Sequence, residues 1–277
     1  MQITESHRTT ELSRLTTLRV GGAAELWEVE SVGELHTATS EPFLVIGAGS
    51  NVLASDEGVR ERVVRLGRSF NTLSEFEGKE EIWLGAATPL PGLVRRAQQA
   101  GLSGLEGLLG VPAVLGGAVA MNAGTRFGAI DDTLQEVELF VDGSLERLPA
   151  AALGLAYRRS QLPLHSVITC VRFRLTPSTP ERVQRQMEQV DAARKGQPKK
   201  KSAGCAFKNP QGDSAGRLID QAGLKGLRVG DAMVSLAHGN FIVNMGNATS
   251  TQVLELIELI RAAVGRELDL EWKLWGF

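Results

Sequence analysis

The sequence predicts an α+β fold, and three observations carry the prediction. Many short apolar runs have the alternation or compactness of strands. Strands and helices do not follow one another in a regular βαβ rhythm, which argues against a doubly wound sheet. Pro177-Ser178-Thr179-Pro180 is a break in composition where a boundary fits.

The elements follow in order. Glu25–Glu30 sets Leu26, Glu28 and Glu30 against Trp27 and Val29, the alternation of a short strand. Val32–Thr39 reads as a short helix. Phe43–Ile46 reads as a buried strand that runs straight into Gly47-Ala48-Gly49-Ser50-Asn51. Val63–Leu66, Phe70–Phe76 and Ile82–Gly85 read as further strands. Leu90–Gln99 places Leu90, Leu93, Val94 and Ala97 at helical spacing, with Pro91 acceptable in the first turn. Asp142-Gly143 between Val137–Val141 and Leu145–Leu148 signals a hairpin. Leu153–Tyr157 delivers Tyr157-Arg158-Arg159-Ser160, and Val167–Leu175 alternates as a strand carrying Cys170, a thiol expected to be buried and inert. Beyond the break, Glu181–Lys195 is a polar amphipathic helix, followed by the charge run Lys199–Lys201. Ala215–Ala222 is helical and stops at Gly223. Ala232–Val234 and Phe241–Val243 are short strands. Thr251–Leu268 carries an apolar stripe from Val253 to Val264 and is capped by Ser250 or Thr249. Leu268–Trp275 closes the chain as a strand.

Composition narrows the function. The 277 residues can build a large core and more than one compact unit. With 30 Lys+Arg against 32 Asp+Glu, no global charge favours nucleic acid or an anionic membrane. Aromatics at 5% weaken a base-stacking role further. Two cysteines, Cys170 and Cys205, form neither a disulfide framework nor a metal-ligand spacing, so no metal is expected. Met1–Thr10 is polar, without the apolar core of a signal peptide, and the expected compartment is the cytoplasm.

Gly104–Gly124 is the most unusual stretch, apolar and nearly free of charge, with glycine at 104, 107, 110, 116, 117 and 124. Such density implies unusual backbone angles or close approach of the backbone to something. Three readings compete. A membrane span needs about 20 predominantly apolar residues, and Glu106, Pro112 and Asn122 interrupt this run. Ordinary core and a wall laid against a flat ligand stay open. Gly47–Asn51 is a strand feeding a Gly-Ser-Asn turn, an arrangement that exposes backbone N–H groups to a phosphate. It is a poor dinucleotide fingerprint, because Val52 stands where a third glycine belongs and no amphipathic helix follows. No Gly-Lys-Ser/Thr of a P-loop is present.

Three blocks then fall in a telling order: Gly47-Ala48-Gly49-Ser50-Asn51-Val52-Leu53, Gly110–Gly124, and Gly204-Cys205-Ala206-Phe207-Lys208-Asn209-Pro210. Tyr157-Arg158-Arg159-Ser160 lies between the last two, and Thr17-Leu18-Arg19-Val20-Gly21-Gly22 stands in front. The set resembles the UDP-N-acetylenolpyruvoylglucosamine reductase (UDP-N-acetylmuramate dehydrogenase) family over nearly the whole chain, in its shorter subclass. The resemblance implies a two-subdomain FAD-binding unit of the vanillyl-alcohol-oxidase-like type, at 1–67 and 68–178, and a C-terminal α+β substrate domain at 179–277, whose last strand packs back on the FAD unit. It implies FAD and NADPH as cofactors, a UDP-sugar substrate, no obligate protein partner, and a step in peptidoglycan precursor synthesis. Gly47, Ala48, Gly49, Ser50, Asn51, Val52, Leu53, Gly110, Pro112, Gly116, Gly117, Asn122 and Gly124 would hold the flavin nucleotide.

The implied chemistry is hydride from the reduced flavin to C3 of the enolpyruvyl double bond and a proton to C2. Charge spreads into the adjacent carboxylate and needs a cation beside it. Arg158 is the candidate, since a guanidinium offers a planar fork of donors and stays charged. Cys205 occupies the position where the family more often has serine as proton donor; a thiol with an ordinary pKa of about 8.5 is mostly protonated at neutral pH and is a better acid than a hydroxyl. Glu271 matches a glutamate that assists the enolate, and to do so without repulsion it must be protonated, with burial near Trp272 raising its pKa. Tyr157, Lys208 and Asn209 would touch the substrate. Three rivals are a flavin oxidase on the same fold, a nucleotide-binding module without activity, and a Cys-His hydrolase using Cys205 and His238.

Overall fold

The computed structural model describes residues 7–198 and 201–277, so Lys199 and Lys200 of the charge run lie outside the described residues. Contacts divide the chain into two compact units, both discontinuous in sequence. The first is built mainly of Leu26–Gly47 and Arg62–Lys195, the second of Arg8–Glu25, Ala48–Glu61 and Gly196–Phe277. Compactness thus groups the chain differently from the expected division by role, because two early segments complete the C-terminal part.

In the first unit, Leu26–Val29 of the strand Ala23–Val29, together with Arg62–Leu66 and Phe43–Val45, pair in parallel, with the central place taken by Arg62–Leu66. Val32–Ala38 is the crossover helix of this small sheet; Ser31 caps it by accepting from the Glu34 N–H. One βαβ unit therefore exists inside a first unit whose other strand pairs are antiparallel. The second sheet runs Ser144–Pro149, Leu134–Val141, Val167–Arg174, Glu81–Gly85, antiparallel throughout, with the Asp142-Gly143 hairpin at the predicted place. Its apolar face packs Val137, Leu139, Val171 and Phe173 against Leu90, Leu93, Val94 and Ala97 of the Leu90–Gln99 helix, all essentially inaccessible. Burying each Val, Leu or Phe of this face contributes about 1.5–3 kcal/mol. Cys170 sits on the same sheet, where burial, helped by Glu138, pushes its thiol up to about 11 and keeps it neutral.

Phe70–Phe76 is not a strand. Two 3₁₀ turns, Arg68–Phe70 and Leu73–Glu75, occupy it. Both phenylalanines are buried, but the chain crosses over Gly85 instead of pairing with it: a Cβ at Gly85 would stand 2.1 Å from the Phe70 carbonyl oxygen. Thr72 Oγ1 then accepts the Gly85 N–H (2.9 Å), a bond that a ladder partner would otherwise make.

In the second unit, Arg228–Val229, Ala232–Val234 and Ile242–Asn244 form an antiparallel sheet. The Ser250–Val264 helix buries Val253, Leu256, Ile257 and Ile260. Thr249 is its cap, in a reciprocal box with Gln252, while Ser250 donates its hydroxyl to Asp56 instead (2.8 Å). The helix stops four residues before the predicted Leu268 because Gly265 takes the left-handed conformation. The closing strand is likewise shorter, Lys273–Trp275, and pairs in parallel with Val52–Ala54. Among the described residues no helix is long and apolar enough to cross a membrane, and no cluster of His, Cys, Asp and Glu has the makings of a metal site.

Candidate functional site

The first unit contains a cleft walled by small and apolar groups. Val45, Ile46, Gly47, Ala86, Ala87, Val114, Gly116, Gly117 and Ala120 line it, with Arg65 and Ser166 as its polar members. The two adjacent glycines do different work. A Cβ on Gly116 would lie 3.1 Å from Ala86 Cβ, so that glycine lets the Leu115–Ala120 helix pack onto the sheet. A Cβ on Gly117 would meet only Val114, at 4.0 Å, so its missing side chain leaves space in the cleft itself. Gly47 adds to the same wall, a Cβ there standing 2.8 Å from Val114. The first N–H groups of the helix are already used, Leu115 donating to the Thr88 carbonyl (3.0 Å) and Gly116 to that of Ala86 (2.9 Å). Arg65 donates to Glu28 at 2.7 Å, an ion pair that holds the guanidinium at the cleft rim.

Other predicted residues of this unit lie differently. Pro112 is exposed. Gly110 is exposed as well, and the Arg194 guanidinium donates to its carbonyl at 2.9 Å. Asn122 is buried, 3% accessible, and its amide is engaged with Asp131 and Ala156. Ala156 and Arg159 exchange two backbone hydrogen bonds of 3.0 Å around Tyr157 and Arg158, a tight turn in which Arg158 has φ +55°. That conformation suits glycine and costs an L residue about 1–2 kcal/mol. The Arg158 guanidinium lies 5.1 Å from the ring centre of the half-exposed Tyr157 and donates to the carbonyls of Asn122 and Gly124.

The second unit joins four segments that are far apart in sequence. Gly49 has φ +62°, and a Cβ there would stand 2.1 Å from the Leu15 carbonyl oxygen, so this turn requires glycine. Its own carbonyl accepts the Thr17 N–H at 3.0 Å. Thr17 Oγ1 donates to the Ser202 carbonyl (2.7 Å), which leads into the Gly204–Pro210 block. Asn51 Nδ2 donates to the Glu271 carbonyl (3.1 Å), and the Glu271 N–H donates to the Ala206 carbonyl (2.8 Å). Gly204, with φ +75°, packs its open side toward the Ser50 carbonyl. Ser50, Asn51, Cys205 and Glu271 are thereby set on one hydrogen-bonded framework, and all four are half-buried. Val52 and Leu53 point their side chains into the core, which leaves only their main chain to meet a ligand. Lys208 is half-buried, its N–H donating to the Asp269 carbonyl; Asn209 accepts the Ala215 N–H through Oδ1 at 3.1 Å.

Asn240 is a supporting residue of this framework that the sequence reading did not single out. It is 3% accessible, and its side chain accepts the Phe207 N–H (2.9 Å) while donating to the Phe207 carbonyl (2.8 Å). Its own carbonyl accepts the Ala206 N–H at 2.9 Å. The main chain that follows Cys205 is therefore held on both edges by one buried amide. In the sequence, Gly-Asn ahead of an apolar run resembles any turn, and only the buried pairing reveals the role. His238, two residues earlier, has its pKa lowered by burial and then by Lys225, with Asp220 opposing.

Comparison with known proteins meets this geometry. Residues 197–274 match the family model described as UDP-N-acetylenolpyruvoylglucosamine reductase, C-terminal domain, and residues 23–148 match an FAD binding domain. The UDP-N-acetylenolpyruvoylglucosamine reductase of Thermus thermophilus is 56% identical over 264 residues, covering 95% of this chain and 97% of that protein. That of Deinococcus radiodurans is 49% identical, with 95% and 94% covered. The crystal structure of the reductase from Thermus caldophilus superposes with a TM-score of 0.93 at 55% identity, covering 97% of this chain and 98% of that one. The chain, an α+β protein with an FAD-binding domain, belongs to the UDP-N-acetylenolpyruvoylglucosamine reductase family.

Proposed function

We propose that this protein reduces the enolpyruvyl group of UDP-N-acetylglucosamine enolpyruvate to give UDP-N-acetylmuramate, with NADPH as electron source, as a cytoplasmic step of peptidoglycan precursor synthesis. The relatives' printed names support the reductase and its substrate. The observation that carries the reading in this chain is the framework that seats Cys205 and Glu271 together, through the 2.8 Å bond from the Glu271 N–H to Ala206.

The residues present fit FAD. Gly117 leaves open space where a Cβ would obstruct, and the alanines and aliphatic side chains around it offer a flat apolar surface for a ring system. Gly47, Gly116 and Gly117 would line the ring, and Gly49, Ser50 and Asn51 would offer main-chain and hydroxyl donors to phosphates. Bound there, FAD supplies two-electron carriage between a nicotinamide and the carbon–carbon double bond.

The chain's own residues do the rest. Arg158 holds the substrate carboxylate and spreads the charge that develops on it. Cys205 gives its Sγ proton to C2 and is re-protonated from solvent in each cycle. Glu271 acts as a neutral acid beside the developing charge. Tyr157, Lys208 and Asn209 orient the UDP-sugar. In terms of role, 1–67 and 68–178 serve the flavin and 179–277 the substrate.

The test is spectroscopic. The purified protein should show flavin absorbance, lose it on anaerobic addition of NADPH, and regain it on addition of UDP-N-acetylglucosamine enolpyruvate. Reoxidation by dioxygen with none by the enolpyruvyl sugar would establish an oxidase instead.

A further inference from the structure

We propose that Asn122, backed by Asp131, is a positioning residue that fixes where the Arg158 guanidinium can meet substrate; this rests on the role proposed for Arg158 above. Asn122 grips the Arg158 turn from two directions. Its side chain donates from Nδ2 to the Ala156 carbonyl (3.0 Å), the first residue of the turn, and to Asp131 Oδ2 (2.9 Å). Its Oδ1 accepts the Asp131 N–H at 3.3 Å, which closes a reciprocal pair. Its main-chain carbonyl, with that of Gly124, accepts from the guanidinium itself. Asn122 makes these contacts from a left-handed backbone, φ +41°, a conformation asparagine adopts more readily than most L residues.

The alternative duty for Asn122, touching a bound flavin, leaves the geometry unexplained. Both polar atoms of the amide are engaged within the protein, and the residue is 3% accessible. Arginine is long and flexible, and its fork matches a carboxylate only in one plane. Two carbonyls at the guanidinium and an amide at the base of its turn remove that freedom before substrate arrives. A displacement of about 1 Å in a charge-stabilising group costs on the order of a hundredfold in rate, so the grip is functional in effect while lying behind the reacting atoms.

Asn122→Gly keeps the left-handed backbone and deletes the amide. FAD-loaded protein is reduced with NADPH and mixed anaerobically with UDP-N-acetylglucosamine enolpyruvate, and both half-reactions are timed. Reoxidation should slow by about 10–100-fold with reduction by NADPH unchanged. In an Arg158→Ala background, Asn122→Gly should add no further slowing, because the group it positions is gone. Unaltered reoxidation, or an equal further slowing in that background, overturns the proposal. Where Asn122→Gly does not fold, Asp131→Ala should slow reoxidation and Asp131→Asn should restore it, since an amide oxygen still accepts from Asn122; equal rates for the two overturn it. Full-rate reoxidation by Arg158→Ala alone removes the Arg158 role and the proposal with it, an outcome distinct from the others because they all leave Arg158→Ala slow.

Discussion

The candidate sites of the two units are built by opposite means. Around the cleft of the first unit the device is subtraction: Gly47, Gly117, Ala86, Ala87 and Ala120 expose backbone and short side chains over a rigid sheet. In the second unit the device is cross-linking, where Thr17, Asn51 and Asn240 spend their side chains holding the carbonyls and N–H groups of loops around Cys205 and Glu271. A flat ring needs only a shape, which a packed sheet supplies. A proton donor needs a defined position, which loops acquire only when their main chain is tied down.

That contrast can be broken by substitution. The largest effect is expected from Asn240→Ala, which strands a buried N–H and a buried carbonyl on Phe207. At roughly 1–3 kcal/mol per unsatisfied group, it should cost about 3 kcal/mol and lower the melting temperature by about 5–10 °C. An unchanged melting curve would show that the loop finds other partners. Gly117→Leu comes next. Filling the cleft should weaken FAD binding by about 10–100-fold, equivalent to the roughly 1–3 kcal/mol of overpacking, while the fold survives because the new side chain points into open space. Titration of the apoprotein with FAD reads this, and normal affinity would remove Gly117 from the flavin wall.

Thr17→Val is the milder test of cross-linking. It deletes the 2.7 Å bond to Ser202 and should cost about 1 kcal/mol, measured by denaturant titration. The smallest effect is electrostatic. His238 has a native pKa held below its ordinary 6.5 by burial, so the unfolded chain takes up its proton first. Its contribution to stability is complete above about pH 6.5 and is lost as pH falls through the lowered native value. His238→Gln should flatten that part of the stability profile; an identical slope in both proteins would assign it to other groups.

Much of this was legible in the residues. The Asp142-Gly143 turn signal located the hairpin, and apolar spacing located the Leu90–Gln99 and Ser250–Val264 helices. Glycine density marked Gly104–Gly124 as special, although it could not separate Gly116, which packs a helix, from Gly117, which opens a cleft. Phe70–Phe76 misled because buried aromatics at strand-like spacing also fit two 3₁₀ turns once Thr72 takes over a ladder bond. The positive φ of Arg158 and Asn122 left no trace in sequence, since neither is glycine. Asn240 was hidden for a related reason: buried asparagines work through partners that lie far away along the chain, here 33 residues. Periodicity reports faces, and such pairings need the folded backbone.

Delivery of the proton by Cys205 in the second unit, with the first unit's cleft serving the flavin, is the proposal that most needs a direct test. Cys205→Ala tests it most directly. With the FAD-loaded variant, reduction by NADPH should proceed at the normal rate, and reoxidation by UDP-N-acetylglucosamine enolpyruvate should slow by about two or more orders of magnitude, the scale of lost general acid catalysis. Equal slowing of both half-reactions, or normal reoxidation, would contradict it.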